Sequence, residues 1–540
     1  MDGGAALTGE RALTIESIEE RMSVAGVTPR ILRPEHPAPR PITGLVDEFE
    51  LPVEADLDGI EVTGITIDSS DVQPGDIFAA LPGAHRHGAE FAAAALEHGA
   101  VAIVTDPAGA ALLDTDAPVI VIDDPRAALG EIAAWVYRTD EQPPKLFGIT
   151  GTNGKTSTAF MLEGLLADLG FVTGLSTTAE RHVGDLVVTS KLTTPEASEL
   201  HALLARMREA GVRAAVLEVS AQALERHRID GVMFDVVAFT NLSHDHLDDY
   251  GSMDAYFDVK LDLFTPDRAE RGVVCVDTDW GVKVAERSRI PVTTVTSDPD
   301  RHADWHVDIW EETAVSTSFT LTGIDGGAIE VQIPFIGRHM AVDAAIAILM
   351  LVENGFEVEG VAEVVDRGMR ATLPGRIERV SGDEGPSVFV DYGHSPDAFA
   401  QTLQALRRVT DGRLVMVFGA DGDRDATKRA EMGRIAAALA DAVVITDFNP
   451  RSEDAASIRA QVLEGARAVA GDKPVIESSP EEAAIRAALE LVGPGDTVLW
   501  AGPGDADYRD VAGVREPFVA RDEARRALQE AGWPASTERA

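Results

Sequence analysis

The stretch Leu146-Phe147-Gly148-Ile149-Thr150-Gly151-Thr152-Asn153-Gly154-Lys155-Thr156-Ser157 decides the fold. Its apolar run over 146–150 reads as a buried strand, and the glycine-punctuated turn behind it opens into a helix over about 155–169. Strand, turn and helix in that order bring free backbone N–H groups and the positive end of a helix to one point, where phosphate oxygens bind. The strict phosphate-loop pattern of Gly, about four residues, then Gly-Lys-Thr is not met, because Ile149 stands where its first glycine belongs. The shorter turn still offers Gly151 and Gly154 for close backbone approach, Lys155 for the terminal phosphates and the Thr156 hydroxyl for Mg²⁺. Thr152, Asn153 and Ser157 complete the loop. An incidental glycine-rich turn is the bland alternative, and the strand and helix around this one argue against it.

Working outward, strands predicted at 214–219 and 236–240 deliver Glu218 and the run Asn241-Leu242-Ser243-His244-Asp245-His246-Leu247-Asp248. Ligands of open α/β sheets bind at such carboxyl ends of strands. A hard cation that bridges phosphates needs few protein oxygens, so Thr156 and Glu218 suffice for one Mg²⁺ and His246 is a candidate for a second. A His-rich turn alone is more often a solvated loop; its place after a strand and beside a phosphate loop reverses that preference. Lys260, on a helix starting near Met253, reads from the residues alone as an ordinary helix lysine. Cys275, the single cysteine, sits in a predicted strand at 272–276, reads as a buried residue, and has no intramolecular disulfide partner.

Two further series of strands and helices flank this segment. The first has strands at 65–67, 77–81 and 101–104 with a helix over 91–98, and ends near Pro143-Pro144. The last follows the Pro374-Gly375 turn, with strands at 387–391, 414–418, 442–446 and 497–500. Alternation of this kind predicts three tandem α/β domains, spanning 56–144, 145–372 and 373–540, the central one a doubly wound parallel sheet. Residues 1–55, rich in charge and with Pro34, Pro37, Pro39 and Pro41 closely spaced, read as a loosely ordered lead-in.

Across 540 residues, 45% hydrophobic and 26% charged, the composition is that of a globular chain with real cores. Asp and Glu number 91 against 47 Lys and Arg, a net charge of −44 that repels nucleic acid and anionic membranes and obliges an anionic substrate to find a locally positive pocket. The acidic N-terminus is not a secretory signal, and the longest apolar run, 341–352, is broken by Asp343. A cytoplasmic protein without membrane insertion is expected.

Seven ordered segments carry a resemblance: ITGTNGKTS, LTTPEA (192–197), EVSAQAL (218–224), FTNLSHDHLD (239–248), PGRIE (374–378), DYGHSPDA (391–398) and FGADGDRD (418–425). Over about 62–530 the chain resembles the Mur ligases, and among them the MurE branch. The resemblance implies a P-loop ATPase-like central domain, a UDP-sugar-binding first domain and a Rossmann-like C-terminal domain that binds an amino acid. It implies a monomeric ATP-dependent amide ligase of peptidoglycan synthesis that adds the third residue to UDP-N-acetylmuramoyl-L-alanyl-D-glutamate through an acyl phosphate. Its cofactors would be two Mg²⁺ ions, with a CO₂-derived carbamate on Lys260 joining His246 at the second. Catalysis would fall to Lys155, Lys260, His246 and Arg376, with Arg376 and Asp391 reaching ATP when the third domain closes. The sugar nucleotide would meet Ser69, Ala84, His85, Arg86, Thr193, Thr194, Ser220, Arg226 and Arg228; the amino acid would meet Arg424, Asn449, Pro450, Arg451 and Gly502.

The chain departs from that pattern in two places. An Asp-Asn-Pro-Arg block and a Gly-His-Glu block are tied to the third residue in MurE-type enzymes, and here Phe448 and Ala506 replace their carboxylates. Asp447 and Asp505, one residue earlier, are candidate substitutes, although a one-residue shift usually turns a side chain away. Arg451 reads equally as a partner for a distal carboxylate, as in meso-diaminopimelate, or as a helix cap. The incoming amino acid is thus left open among lysine, a shorter diamino acid, homoserine and meso-diaminopimelate. Met340 and Asp343 stand where the family usually has Asn near the adenine. Rival readings are a MurF-type ligase, a folylpolyglutamate synthetase and a catalytically silent binding protein; the order of the seven segments favours the MurE branch.

Overall fold

A computed structural model describes residues 31–536 except Glu54, Gln142, His246 and Arg370, with backbone alone at Leu247 and Asp248. Three sheets carry the chain in sequence order. The first is parallel, in the order Gly64–Thr66, Asp76–Ala80, Ala102–Thr105, Val119–Val121.

The central sheet has 11 strands. Its parallel heart runs Thr173–Ser176, Ala214–Glu218, Lys145–Thr150, Phe234–Phe239, Ala269–Cys275, Val292–Thr296, Trp305–Glu312. Strands on either side of Lys145–Thr150 are reached by connections running in opposite senses, so the phosphate loop leaves the sheet at a topological switch point. Antiparallel strands extend both edges: Glu180–Val183 and Leu186–Thr189 at one, Thr317–Gly323 and Ala328–Ile333 at the other. The expected parallel sheet is therefore mixed. No helix separates the strands of these extensions, and Ala328–Ile333 alternates exposed and buried residues, the mark of a strand with one wet face.

Beneath the sheet lies the helix Arg338–Glu353, buried along 340–351, packed against Lys155–Asp168. The apolar run over 341–352 is thus a core helix, hydrophobic on all sides because it is enclosed on all sides. Cys275 is buried in its strand, as the sequence suggests.

The third sheet runs Glu378–Arg379, Ser387–Asp391, Thr497–Ala501, Leu414–Phe418, Ala442–Ile445, Val475–Glu477, parallel except for its first strand. One expectation needs correcting. Of the lead-in, 1–30 lies outside the described residues, but Arg40–Pro41 pairs with Glu61–Val62 and the helix Ile42–Glu48 buries Ile42 and Leu45 in the first core. The closely spaced prolines stop at Pro41, and over the next seven residues, which hold none, apolar residues three apart give a short helix a face to bury.

Candidate active site

A cavity of about 460 Å³ lies between the central and third sheets. The phosphate loop, Thr193, Glu218, Ser220, Arg228, Asn241 and Lys260 line it from one side, and Arg376, Asp391, Asp421, Arg424, Phe448, Asn449, Arg451 and Ala506 from the other. Within a strongly acidic chain, Lys155, Lys191, Arg228, Arg376, Arg424 and Arg451 make this lining locally cationic.

The loop leaves room for nothing larger than glycine at its bends. Gly151 has φ +146 and a Cβ there would lie 1.9 Å from Thr240 Oγ1; Gly154 has φ +86 and a Cβ would lie 2.4 Å from Asp343 Oδ1. The Asn153 N–H donates to Asn241 Oδ1 at 3.0 Å, and the Thr240 hydroxyl donates to the Asn153 carbonyl at 2.6 Å, clamping the turn to the next strand. Lys155 curls over its own loop, its Nζ donating to the carbonyls of Gly151 and Thr152, each at 3.0 Å. Burial pulls its pKa down.

Lys260 is almost fully buried beneath the same turn and donates to the Gly151 carbonyl at 2.9 Å. Burial, reinforced by the neighbouring Lys155 charge, holds its amine well below the usual lysine value. Thr156 donates to Glu218 Oε1 at 2.7 Å, while the Thr178 N–H and hydroxyl each donate to the same carboxylate at 3.1 Å. Thr156 Oγ1 and Glu218 thus form a buried pair of hard oxygens at the loop's first helical turn, a donor set that suits Mg²⁺. Among the described residues no group of three His, Cys, Asp or Glu could hold a metal. His246 lies outside them.

From the third sheet, Arg376 donates to Asp505 Oδ1 at 2.9 Å and to Thr156 Oγ1 at 3.3 Å, its guanidinium 4.1 Å from the centre of the Tyr392 ring. This arginine needs no further closure to reach the loop; it is already there. Asp391 accepts the N–H groups of Ile377 and Gly393, each at 3.0 Å, so its carboxylate braces its own loop while lining the cavity.

Of the residues expected to meet a sugar nucleotide, Thr193, Ser220 and Arg228 line the cavity. Thr194 is buried behind them, donating to the Glu218 carbonyl at 2.7 Å, and Arg228 pairs with Glu196 at 2.7 Å. Arg226 is exposed outside the lining, because it caps the short helix Ala221–Glu225 and points to solvent. Ser69 and Ala84-His85-Arg86 do not line it either: they follow strands of the first sheet, and Arg86 is held at the surface by Glu90 at 2.8 Å and the Phe91 ring.

Of the residues expected to meet an amino acid, Arg424, Asn449 and Arg451 line the cavity, while Pro450 and Gly502 stand behind it. A Cβ on Gly502 would lie 3.6 Å from the Phe448 ring. Asp447 does not replace the missing carboxylate, since Arg459 and Ser479 occupy it; Asp505 is taken by Arg376. Met340 and Asp343 line the cavity, and burial pushes the Asp343 carboxyl well above the usual range.

Sequence reasoning did not single out Thr178, Tyr392, Asp421 or the buried Lys428–Asp245 pair, 3.1 Å apart. Lys428 follows the segment FGADGDRD closely, but only the fold brings it against the loop after Phe234–Phe239.

A phosphate loop at a switch point, faced by a second sheet that supplies an arginine, defines a phosphate-binding enzyme site of the nucleoside-triphosphate class. Residues 61–137, 149–351 and 375–504 match the family models described as Mur ligase family, catalytic domain; Mur ligase middle domain; and Mur ligase, glutamate ligase domain. The chain belongs to the Mur ligase family, and within it to the MurE type. It is 58% identical over 513 residues to the UDP-N-acetylmuramyl-tripeptide synthetase of Leifsonia xyli subsp. xyli, covering 94% of this chain and 100% of that one. It is 43% identical to the UDP-N-acetylmuramoyl-L-alanyl-D-glutamate--2,6-diaminopimelate ligase of Streptomyces coelicolor, covering 92% and 98%. A solved structure of a UDP-N-acetylmuramoyl-L-alanyl-D-glutamate--2,6-diaminopimelate ligase superposes with TM-score 0.63 at 27% identity, covering 90% of this chain and 99% of that one.

Proposed function

We propose that this chain adds the third amino acid to UDP-N-acetylmuramoyl-L-alanyl-D-glutamate. The γ-phosphoryl group of ATP passes to the D-glutamyl carboxylate, and the amine of the incoming amino acid then attacks the acyl phosphate and releases phosphate. The observation that carries this reading is the meeting of Lys155, Thr156, Glu218, Lys260 and Arg376 in one cavity whose far wall holds Arg424, Asn449 and Arg451.

In this reading the N–H groups of 151–157 and Lys155 bind the phosphates, and Arg376 follows the charge that develops on the transferred group. Thr156 and Glu218 would hold one Mg²⁺, and His246 with Lys260, as its carbamate, would hold another. The buried Lys260 amine fits that modification, because burial and the Lys155 charge lower its pKa and so favour the neutral form that attacks CO₂, and the product, after loss of a proton, is an anionic oxygen ligand. A bound divalent cation would supply charge neutralisation for the transferred phosphoryl group. Walls from two sheets exclude water from the acyl phosphate.

Thr193, Thr194, Ser220 and Arg228 take the peptide end of the sugar nucleotide. Its uridine end extends toward Ser69, Ala84, His85 and Arg86, which follow strand ends of the first sheet, with Arg226 on the way. The reading takes the enzyme as a monomer, and its use of ATP fits a place in the cytoplasm.

The test incubates the protein with ATP, Mg²⁺, UDP-N-acetylmuramoyl-L-alanyl-D-glutamate and a panel of amino acids, reading product masses. Addition of a single residue is expected. No product with any amino acid overturns the reading in favour of a silent homologue, and turnover only with a tripeptide precursor and a dipeptide makes the chain a MurF-type ligase.

A further inference from the structure

Five carboxylates line the cavity, and four have duties within it. Glu218 serves Thr156 and Thr178, Asp245 pairs with Lys428, Asp391 accepts backbone N–H groups, and Asp343 lies against the phosphate loop. The fifth, Asp421, lies on the third-sheet side, where its partner among the described residues is the Arg451 guanidinium at 3.4 Å. Its backbone is fixed from behind: the almost fully buried Arg429 donates to the Asp421 carbonyl at 2.8 Å, and the Gly422 N–H donates to the Asn449 carbonyl at 3.0 Å.

Arg451 is itself incompletely used. Its Nε is buried with no hydrogen-bond partner among the described residues. A buried donor left open costs free energy until something accepts from it. A guanidinium awaiting an acceptor thus stands 3.4 Å from a carboxylate with spare lone pairs, and Phe448 and Ala506 form an apolar wall beside them.

We propose that Asp421 determines specificity for the incoming amino acid by accepting the side-chain ammonium of a short diamino acid whose α-carboxylate rests on Arg451. The closeness of the two charges limits the ligand: one or two methylenes between Cα and the side-chain nitrogen let one molecule satisfy both, and the Phe448 ring stops a longer chain from extending. A distal carboxylate is disfavoured, since with the α-carboxylate on Arg451 it would meet the like charge of Asp421. Homoserine brings no cation to Asp421. This deepens the reading above and rests on it.

The experiment measures kcat/KM of the full chain for 2,3-diaminopropionate, 2,4-diaminobutyrate, ornithine, lysine, homoserine and meso-diaminopimelate, with ATP and the UDP-dipeptide saturating. One of the two shortest diamino acids should lead. Asp421→Asn should raise its KM about 10- to 100-fold, the loss expected for a charge-assisted hydrogen bond, with kcat and the KM for ATP unchanged and homoserine turnover not reduced. Phe448→Ala should shift preference toward ornithine and lysine. Preference of the parent chain for meso-diaminopimelate, lysine or homoserine overturns the proposal and leaves the ligase reading standing, as does an Asp421→Asn variant that loses every amino acid equally. Absence of product with all six overturns the ligase reading, and this proposal with it.

Discussion

Lys260 Nζ and Lys155 Nζ converge on one oxygen, the Gly151 carbonyl, at 2.9 and 3.0 Å. If Lys260 serves as a carbamate, Lys260→Ala removes an anionic ligand from the phosphates, and several kcal/mol of transition-state stabilisation go with it. Turnover should then fall at least about a thousandfold, while a carbon-13 resonance of the carbamate, raised with labelled bicarbonate, is lost with the side chain; full activity of the variant disproves the role. Asp343 makes a second residue-level case. Burial raises its carboxyl far above the ordinary 3.8, a bond with Thr158 opposing. An acid whose folded pKa is raised holds its proton more tightly in the native state, so its contribution to stability drops as pH climbs from the ordinary value toward the folded one. Asp343→Asn puts an uncharged amide where burial disfavours the charged carboxylate. Its Tm should exceed that of the parent at neutral pH and above, with the gap closing in acid, as differential scanning calorimetry across pH would register.

Among the elements, the helix Arg338–Glu353 carries the central core, and Leu349 within it is fully buried. Leu349→Ala should cost about 3–5 kcal/mol in urea unfolding, with the midpoint lowered and the slope unchanged. The strands that form the phosphate site were legible because each is an apolar run ended by glycine or a polar turn: Ser387–Asp391 and Leu414–Phe418 match the expected bounds, and Lys145–Thr150 differs by one residue. Lys155, Thr156 and Glu218 were legible for the same reason, each standing at a strand or helix end that pattern alone locates. The antiparallel edges were not, because turns such as the one between Glu180–Val183 and Leu186–Thr189 leave a strand pattern without saying which neighbour it pairs with. Lys260 was legible as a site residue only through the family resemblance, and Asp421 not at all. A lysine inside Met253–Leu261 looks like any helix lysine until the fold buries it under Gly151, and an aspartate in a loop gains meaning only when Arg451 arrives from another strand end.

At the scale of the whole molecule, the cavity exists because the central and third sheets are tied across it. Asn153 Nδ2 donates to Asp397 at 3.2 Å, Arg376 reaches Thr156 at 3.3 Å, Arg408 pairs with Glu312 at 2.8 Å, and Lys428 with Asp245 at 3.1 Å. Of the two ion pairs among these ties, Lys428–Asp245 is the one nearly closed off from water at both ends, with 7% and 11% of the side chains exposed. Lys428→Met should remove a charged hydrogen bond that ties the two sheets, lowering stability by about 2 kcal/mol in denaturant titration and raising the KM for ATP. Arg408→Met, whose pair is half exposed, should be nearly silent in both measurements. The carbonyl shared by the two lysines has a wider consequence. A nucleotide that draws Lys155 toward its phosphates takes a competing donor off the Gly151 carbonyl and a positive charge away from Lys260, so the state of one lysine answers to the occupancy of the other. Such coupling is reciprocal by thermodynamic necessity: under the carbamylation proposed above, whatever ATP would do to the readiness of Lys260 for CO₂, dissolved CO₂ would do by the same factor to the hold on ATP, and one peptide oxygen would be where a gas supply and an energy supply are compared.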